Sequence, residues 1–493
     1  MRSSAYGRRT AGAILFIVFL LVTGASATTY QVGTDLQAAI DAAAPGDTLI
    51  VSPDIVSPDS YGKIVITKNL DLVGNGAVIR ASSREACVEV RANNVNISGF
   101  VVRDGFYGIK LDHARGCLIS NNTVVHCVQP GITLVYSDEN VIEDNVASFN
   151  GLGEEGWYGI YLSNSNRNRI ENNTANDNGE YGICLFPSCR DNIIKGNVAE
   201  RNDYGIYMFT DCSGNLIESN RLVHNRNSGL KMIHGCVENR ILNNTISDND
   251  VVGISLYEGS GSNLVRGNEI AGNTMFGIQI QEGPGNNTIV QNNISGSQKG
   301  IYLDTDGNII YNNRFSENVI QALDRGTNKW YAYPRGGNFW GDYQGQDLMG
   351  GTDQNVSGSD GFGDEPYWIN EYARDRYPIM GRSVLPLKMV ERTIIPARAR
   401  IGEQVKVRVT LESKYGVAQV SARAHNVVDL SERSRYVSMN RAGVDVYEGT
   451  LETALMNAGR YEVVLTAKDI KGNKFEEPIG EVELLPRSGW SID

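Results

Sequence analysis

Between residues 153 and 207 the chain repeatedly sets carboxylates beside aromatic rings. Glu154 and Glu155 precede Trp157 and Tyr158. Glu180 adjoins Tyr181, and Asp203 adjoins Tyr204, with Tyr207 three residues on. Aromatic rings pack on the apolar faces of sugars, while carboxylates bind hydroxyls or move protons. These types offer Glu154, Glu155, Glu180 and Asp203 as acid–base groups, and Trp157, Tyr158, Tyr181, Tyr204 and Tyr207 as a saccharide platform. The plainer alternative is an aromatic ladder flanked by solvated turn carboxylates.

Such a site needs elements that bring distant residues into line, and a repeat supplies them. Gly recurs at 108, 131, 159, 182, 205, 229, 253, 277 and 300, nearly always followed by Ile. Asn keeps the same beat at 122, 145, 173, 197, 220, 244, 268, 292 and 313. A fixed period in the twenties means a solenoid. The units lack the several Leu of a leucine-rich repeat. Their apolar residues alternate in runs of three to five, the period of a strand with one buried face. Three short strands per unit describe one coil of a parallel β-helix, with coils roughly 4.8 Å apart. Asn is expected to bond from coil to coil, Gly to mark a turn needing positive φ or close approach, and Ile109 to Ile301 to form one inward ribbon. Tyr107 and Phe276 share the platform's phase, and Asp248 and Asp250 lie near it. The longest interval, Gly131 to Gly159, inserts Gly151 to Trp157, and solenoid insertions often mark the working face. Carboxylates one coil apart would suit a retaining glycosidase, and two coils apart an inverting one.

Other chemistry is sparsely supplied. Lys110 and Lys231 should point outward, with no acidic cluster in phase with either. The five His are scattered; His126 and His224 share a phase but stand four coils apart, roughly 19 Å. Asp360-Gly361-Phe362-Gly363-Asp364 alternates oxygen donors with Gly like half of a Ca²⁺ loop, so Asp360 and Asp364 are the candidate metal ligands, against a plain turn. Seven Cys cannot all pair internally; Cys189, Cys212 and Cys236 share a phase and read as a small-residue column in preference to a disulfide or thiolate site. A net charge of −12 with no basic stripe argues against nucleic acid. Residues 1–27 read as a signal peptide: Arg2, Arg8 and Arg9, a short apolar core, then Ala25-Ser26-Ala27. An uncleaved anchor is the alternative. No second apolar run follows, so any surface attachment is expected to be indirect.

Residues 28–93 are expected to form a cap and irregular first coils, opened by a helix with Thr34 and Gln37 as a capping box. Regular coils cover 94–327. Residues 328–382 are rich in Trp and Asp and should close the far end. The cap, the Asn…Gly-Ile repeats, Gly337-Asn338-Phe339-Trp340-Gly341-Asp342-Tyr343 and the run Asp360 to Tyr367 together resemble the NosD-like secreted β-helix proteins plentiful on archaeal cell surfaces. The resemblance implies a right-handed single-stranded helix of the pectin-lyase fold, in the carbohydrate-binding and sugar-hydrolase group. The family is often labelled copper-binding, whereas this chain has no Met or His cluster. Residues 383–493 carry alternating strands at Val405–Leu411 and Tyr461–Ala467 and a turn at Asp469–Asn473, suggesting an immunoglobulin-like sandwich. The expectation is an all-β, secreted or surface protein. Its β-helix binds a polysaccharide or surface glycan, and its sandwich meets cell-envelope proteins. The alternatives are a glycoside hydrolase or lyase, a structural envelope protein, or a metal-handling protein.

Overall fold

The computed structural model describes residues 27–32, 35–53, 63–81, 84–151, 157–283, 285–332, 336–380, 387–413, 417–427, 433–443, 445–470 and 474–487. The signal peptide and Thr34 lie outside this set. The chain divides into two compact units, Met1–Ile379 and Met380–Asp493.

In the first unit successive coils add short strands to three parallel sheets. The first sheet has thirteen strands, from Thr29–Val32 to Ile309–Tyr311. The second has twelve, from Ile64–Ile66 to Ile320–Asp324. The third comes in runs of four and seven strands, with Thr174 bridging Val146 and Val198 between them. On the second sheet Ile109, Ile132, Ile160, Ile183, Ile206, Leu230, Ile254, Ile278 and Ile301 stand in direct register. All are fully buried, so the inward ribbon is formed, with Leu230 completing it.

The Asn column continues beyond Asn313 to Asn338 in the closing segment. It is one of three. A second runs from Asn140 through Asn192 and Asn239 to Asn328, and a third from Asn150 through Asn202 to Asn273. In each, one amide oxygen accepts both the backbone N–H and the amide of the Asn one coil earlier. A buried amide is tolerated only when fully bonded, and a repeat lets identical amides satisfy one another.

Of the two reasons expected for the repeat Gly, close approach is the one found. Its φ is not positive; the left-handed residues instead precede the first Asn column, as at Asn121, Asp144, Asn172 and Ser219. Gly is required because successive coils approach closely: a Cβ at Gly205 would lie 2.6 Å from the carbonyl oxygen of Gly229, and one at Gly182 2.7 Å from that of Gly205.

Both ends of the solenoid are closed. Helix Leu36–Ala42 is capped by Asp35, whose carboxylate accepts the Ala38 N–H at 2.9 Å, and not by the expected capping box. Gln37 has another task. Its amide accepts from Val65 N–H at 2.8 Å and donates to Val65 C=O at 3.1 Å, pairing the first strand of the second sheet, which has no earlier partner strand among the described residues. At the other end Phe315, Trp340 and Tyr367 stack at 4.7 and 4.1 Å. The buried Asp375 accepts from the Trp340 indole, Asn338 N–H and Tyr377 N–H.

The second unit has two sheets around one core. One orders Leu387–Ile395, Gln404–Ser413, Val446–Glu452 and Asn440–Arg441. The other orders Arg398–Arg400, Lys474–Leu485, Gly459–Asp469, Val417–Asn426 and Arg435–Ser438. Pairing is antiparallel except between Arg398–Arg400 and Lys474–Leu485.

Candidate functional site

Rings and charges converge on the outer face of the second sheet. In Tyr158–Ser163, Tyr181–Leu185 and Tyr204–Phe209, the Ile and Leu or Met side chains fill the core, so their neighbours project outward. Two outward columns result. One carries Tyr158, Tyr181, Tyr204, Ser228, Val252, Phe276 and Lys299. The other carries Lys110, Thr133, Tyr161, Cys184, Tyr207, Lys231 and Ser255.

The predicted rings are thus brought together. Tyr158 stacks on Tyr181 at 5.0 Å and Tyr181 on Tyr204 at 5.4 Å, Tyr207 lies tilted against Tyr181 at 4.6 Å, and Trp157 meets Tyr158 edge-on. Tyr161, which sequence reasoning missed, stacks on Tyr158 at 4.7 Å. The signal was present: Tyr161 follows Gly159 by two residues, as Tyr207 follows Gly205. Phe186 and Phe209, 4.8 Å apart, extend the patch sideways. The rings are half-buried. Tyr158, Tyr161, Tyr181 and Tyr204 turn faces to one another, which favours exposure of their edges and hydroxyls. Burial raises the phenols of Tyr158, Tyr181, Tyr204 and Tyr207 and takes Tyr161 up to about 12. They are neutral hydrogen-bond donors at ordinary pH.

Glu180 and Asp203 occupy adjacent coils, the Asp203 N–H donating to Glu180 C=O at 2.8 Å. Burial, and then the charge of Asp203, push the Glu180 carboxyl up, while a hydrogen bond with Tyr181 acts the other way. Asp203 is ion-paired with Arg226 at 2.5 Å, and the same guanidinium reaches Gly179 C=O. Glu154 and Glu155 lie outside the described residues.

One of the two outward lysines differs from expectation. Lys110 does have acids in phase: Glu89 opposes it in the sheet, and Asp112, two residues on, lies 2.8 Å away. Glu89 in turn pairs with Lys63 and Arg91. Lys231 lies over the rings of Tyr204 and Tyr257.

Asp360 and Asp364 are occupied with backbone. Asp364 accepts the Leu348 and Met349 N–H groups, and Asp360 accepts those of Gly351 and Phe362. Both organise turns. All seven Cys are free and buried. Cys189, Cys212 and Cys236 continue a column of Ser137 and Ser165 that passes to Ser260, matching the small-residue reading.

The profile described as "Periplasmic copper-binding protein (NosD)" matches residues 40–232 and 228–345. The chain belongs to the NosD family. A cell surface glycoprotein of Methanothermus fervidus is 33% identical over 147 residues, which is 29% of this chain and 24% of that protein. The chain therefore spans about a quarter of that relative's length. Among solved structures, the A-module of the Azotobacter vinelandii mannuronan C-5 epimerase AlgE6 has a TM-score of 0.49 at 19% identity, covering 62% of this chain and 93% of the module. An alginate lyase from Paenibacillus has a TM-score of 0.30 at 18% identity, covering 64% and 98%.

Copper does not fit the residues of this NosD-family chain. His113 and His234 lie beside Asp112 and Glu258, His425 lies in the second unit beside Glu462, and His126 and His224 are exposed turn residues. Among the described residues no three His, Cys, Asp or Glu side chains converge as metal ligands.

Proposed function

We propose that this NosD-family protein acts outside the cytoplasm as a polysaccharide-binding β-helix, using the tyrosine face of its second sheet. One observation carries the reading: Tyr158, Tyr161, Tyr181, Tyr204 and Tyr207 project outward from three successive coils as neutral donors. A strip of ring edges and hydroxyls matches the mixed C–H and O–H surface of a sugar chain. The location is supported by the signal-like N-terminal sequence and by the periplasmic and cell-surface descriptions of its relatives. The second unit is taken as an immunoglobulin-like module that meets envelope proteins; its strand order, with first, third and neighbouring strands in one sheet and the last two beside the fourth in the other, supports this.

A second reading has its own observation. Glu180, held towards its protonated form, stands one coil from the Arg226-paired Asp203, and unequal carboxyl pairs perform acid–base cleavage. A glycan array and a reducing-sugar assay separate the two. Binding that disappears in Tyr204→Ala/Tyr207→Ala without product release supports the binding protein. Product release lost in Glu180→Gln supports the enzyme. A folded protein that neither binds nor cleaves any saccharide on the array refutes both.

A further inference from the structure

Many basic side chains elsewhere on the solenoid are spent on carboxylates: Arg115 on Glu139, Lys195 on Glu218, Arg201 on Asp177. The C-terminal half of the second sheet differs. Lys231 lies 5.5 Å from the Tyr204 ring centre and 6.0 Å from that of Tyr257. Lys299 lies over Phe276 at 5.1 Å, and the Arg325 guanidinium over Tyr302 at 5.5 Å. Among the described residues none of these three cations has a carboxylate within ion-pair distance.

The acids on this face are already engaged. Glu258 pairs with His234, and Glu282 and Asp304 accept from the hydroxyls of Tyr257 and Tyr302. In a chain of net charge −12, these three cations are held over rings with no carboxylate in ion-pair contact. Burial lowers the Lys231 ammonium pKa, opposed only by Glu258, so an arriving anion would restore what burial costs. A ring fixes one side of a cation and leaves the other side free for an anion.

The three positions stand in different columns of one face and succeed one another along the axis. Lys231 follows Tyr207 in its column, Lys299 stands three coils further in the Tyr204 column, and Arg325 lies just past the strand of the next coil. At the strand spacing, Lys231 and Lys299 are about 14 Å apart along the axis, and the track from Tyr158 to Arg325 is roughly 34 Å long. That is the shape of a polymer site.

We infer that the occupant is a linear acidic polysaccharide lying along the solenoid axis, its carboxylates seated at Lys231, Lys299 and Arg325. The inference rests on the polysaccharide reading above and narrows it to polyanions.

The probes are polygalacturonate and its fully methyl-esterified form, which keeps the backbone and removes the charge. Binding is measured by calorimetry on the full chain at several salt concentrations. Polygalacturonate should bind at least about tenfold more tightly than the ester, and less tightly as salt rises. Lys231→Met/Lys299→Met should erase that advantage, while Lys231→Arg/Lys299→Arg keeps it, showing that charge and not folding was lost. Equal affinity for the two polymers, or an unchanged Met variant, overturns the inference. Binding of neutral glycans alone overturns it while leaving the polysaccharide reading standing. No binding of any saccharide overturns both.

Discussion

Replacing Asn197 by Ala should destabilise the β-helix by about 3–6 kcal/mol. The Asn197 amide oxygen accepts the Asn173 N–H at 2.9 Å and the Asn173 amide at 3.0 Å. Its own NH₂ donates to Ile170 C=O at 2.7 Å and to the Asn220 oxygen at 3.0 Å. Asn173, Asn197 and Asn220 are all essentially without solvent contact. Truncation strands the Asn173 N–H and removes a donor from Ile170 C=O, and the Asn173 amide keeps only its bond to Ile142 C=O. Two to three stranded buried groups at roughly 1.5–2 kcal/mol each, the middle of the usual cost, give the range. Asn197→Asp is the sharper test. It keeps the accepting oxygen but turns a second oxygen towards Ile170 C=O and the Asn220 oxygen, and it buries a charge. It should therefore be worse than Ala at neutral pH and recover as acid protonates it. Urea unfolding followed by circular dichroism reads both. Midpoints are compared on one probe, because long repeat arrays need not unfold in two states. An Ala variant within about 1 kcal/mol of wild type, or an Asp variant as mild as Ala at neutral pH, would refute the reasoning.

Three further expectations follow from the ends and the coil contacts. Burial pushes the Asp375 carboxyl up to about 7, so the folded state holds its proton more tightly than the unfolded chain does. Stability from this group is greatest below the ordinary carboxylate range and falls as pH rises towards 7. The penalty is on the order of 4 kcal/mol, and the wild-type slope between pH 4 and 7 should flatten in Asp375→Asn. Gly205→Ala drives a methyl into the Gly229 carbonyl at 2.6 Å and should cost about 1–3 kcal/mol in the same urea assay. Gln37→Leu removes both bonds to Val65; amide exchange at Val65 should accelerate and self-association increase, as measured by hydrogen exchange and light scattering.

The parallel β-helix was legible because a solenoid turns sequence separation into a spatial constant. Residues 23 or 24 apart are neighbours one coil on, so the Gly and Asn beats already stated which residues touch. The same arithmetic placed Tyr158, Tyr181 and Tyr204 in one column, and Cys189 with Cys212 and Cys236. The column through Asn202 was not read from the sequence, although it keeps the beat of Asn197 and bonds in the same way.

What the sequence by itself determined was therefore the coil, its inward ribbon and the outward row of tyrosines. The tertiary structure alone decided what those tyrosines offer. Stacking turns their faces to one another and leaves edges and hydroxyls outside. It also decided that Asp203 belongs to Arg226, that Lys110 is ion-paired while Lys231 lies over rings, and that Gln37 pairs a strand where the sequence suggests a helix cap. Periodicity specifies where each Cα lies along and around the axis. It says nothing of side-chain rotamers, or of the aperiodic ends where Asp35, Asp360 and Asp375 find their partners, and hydrogen bonds and ion pairs are settled there within a few tenths of an ångström.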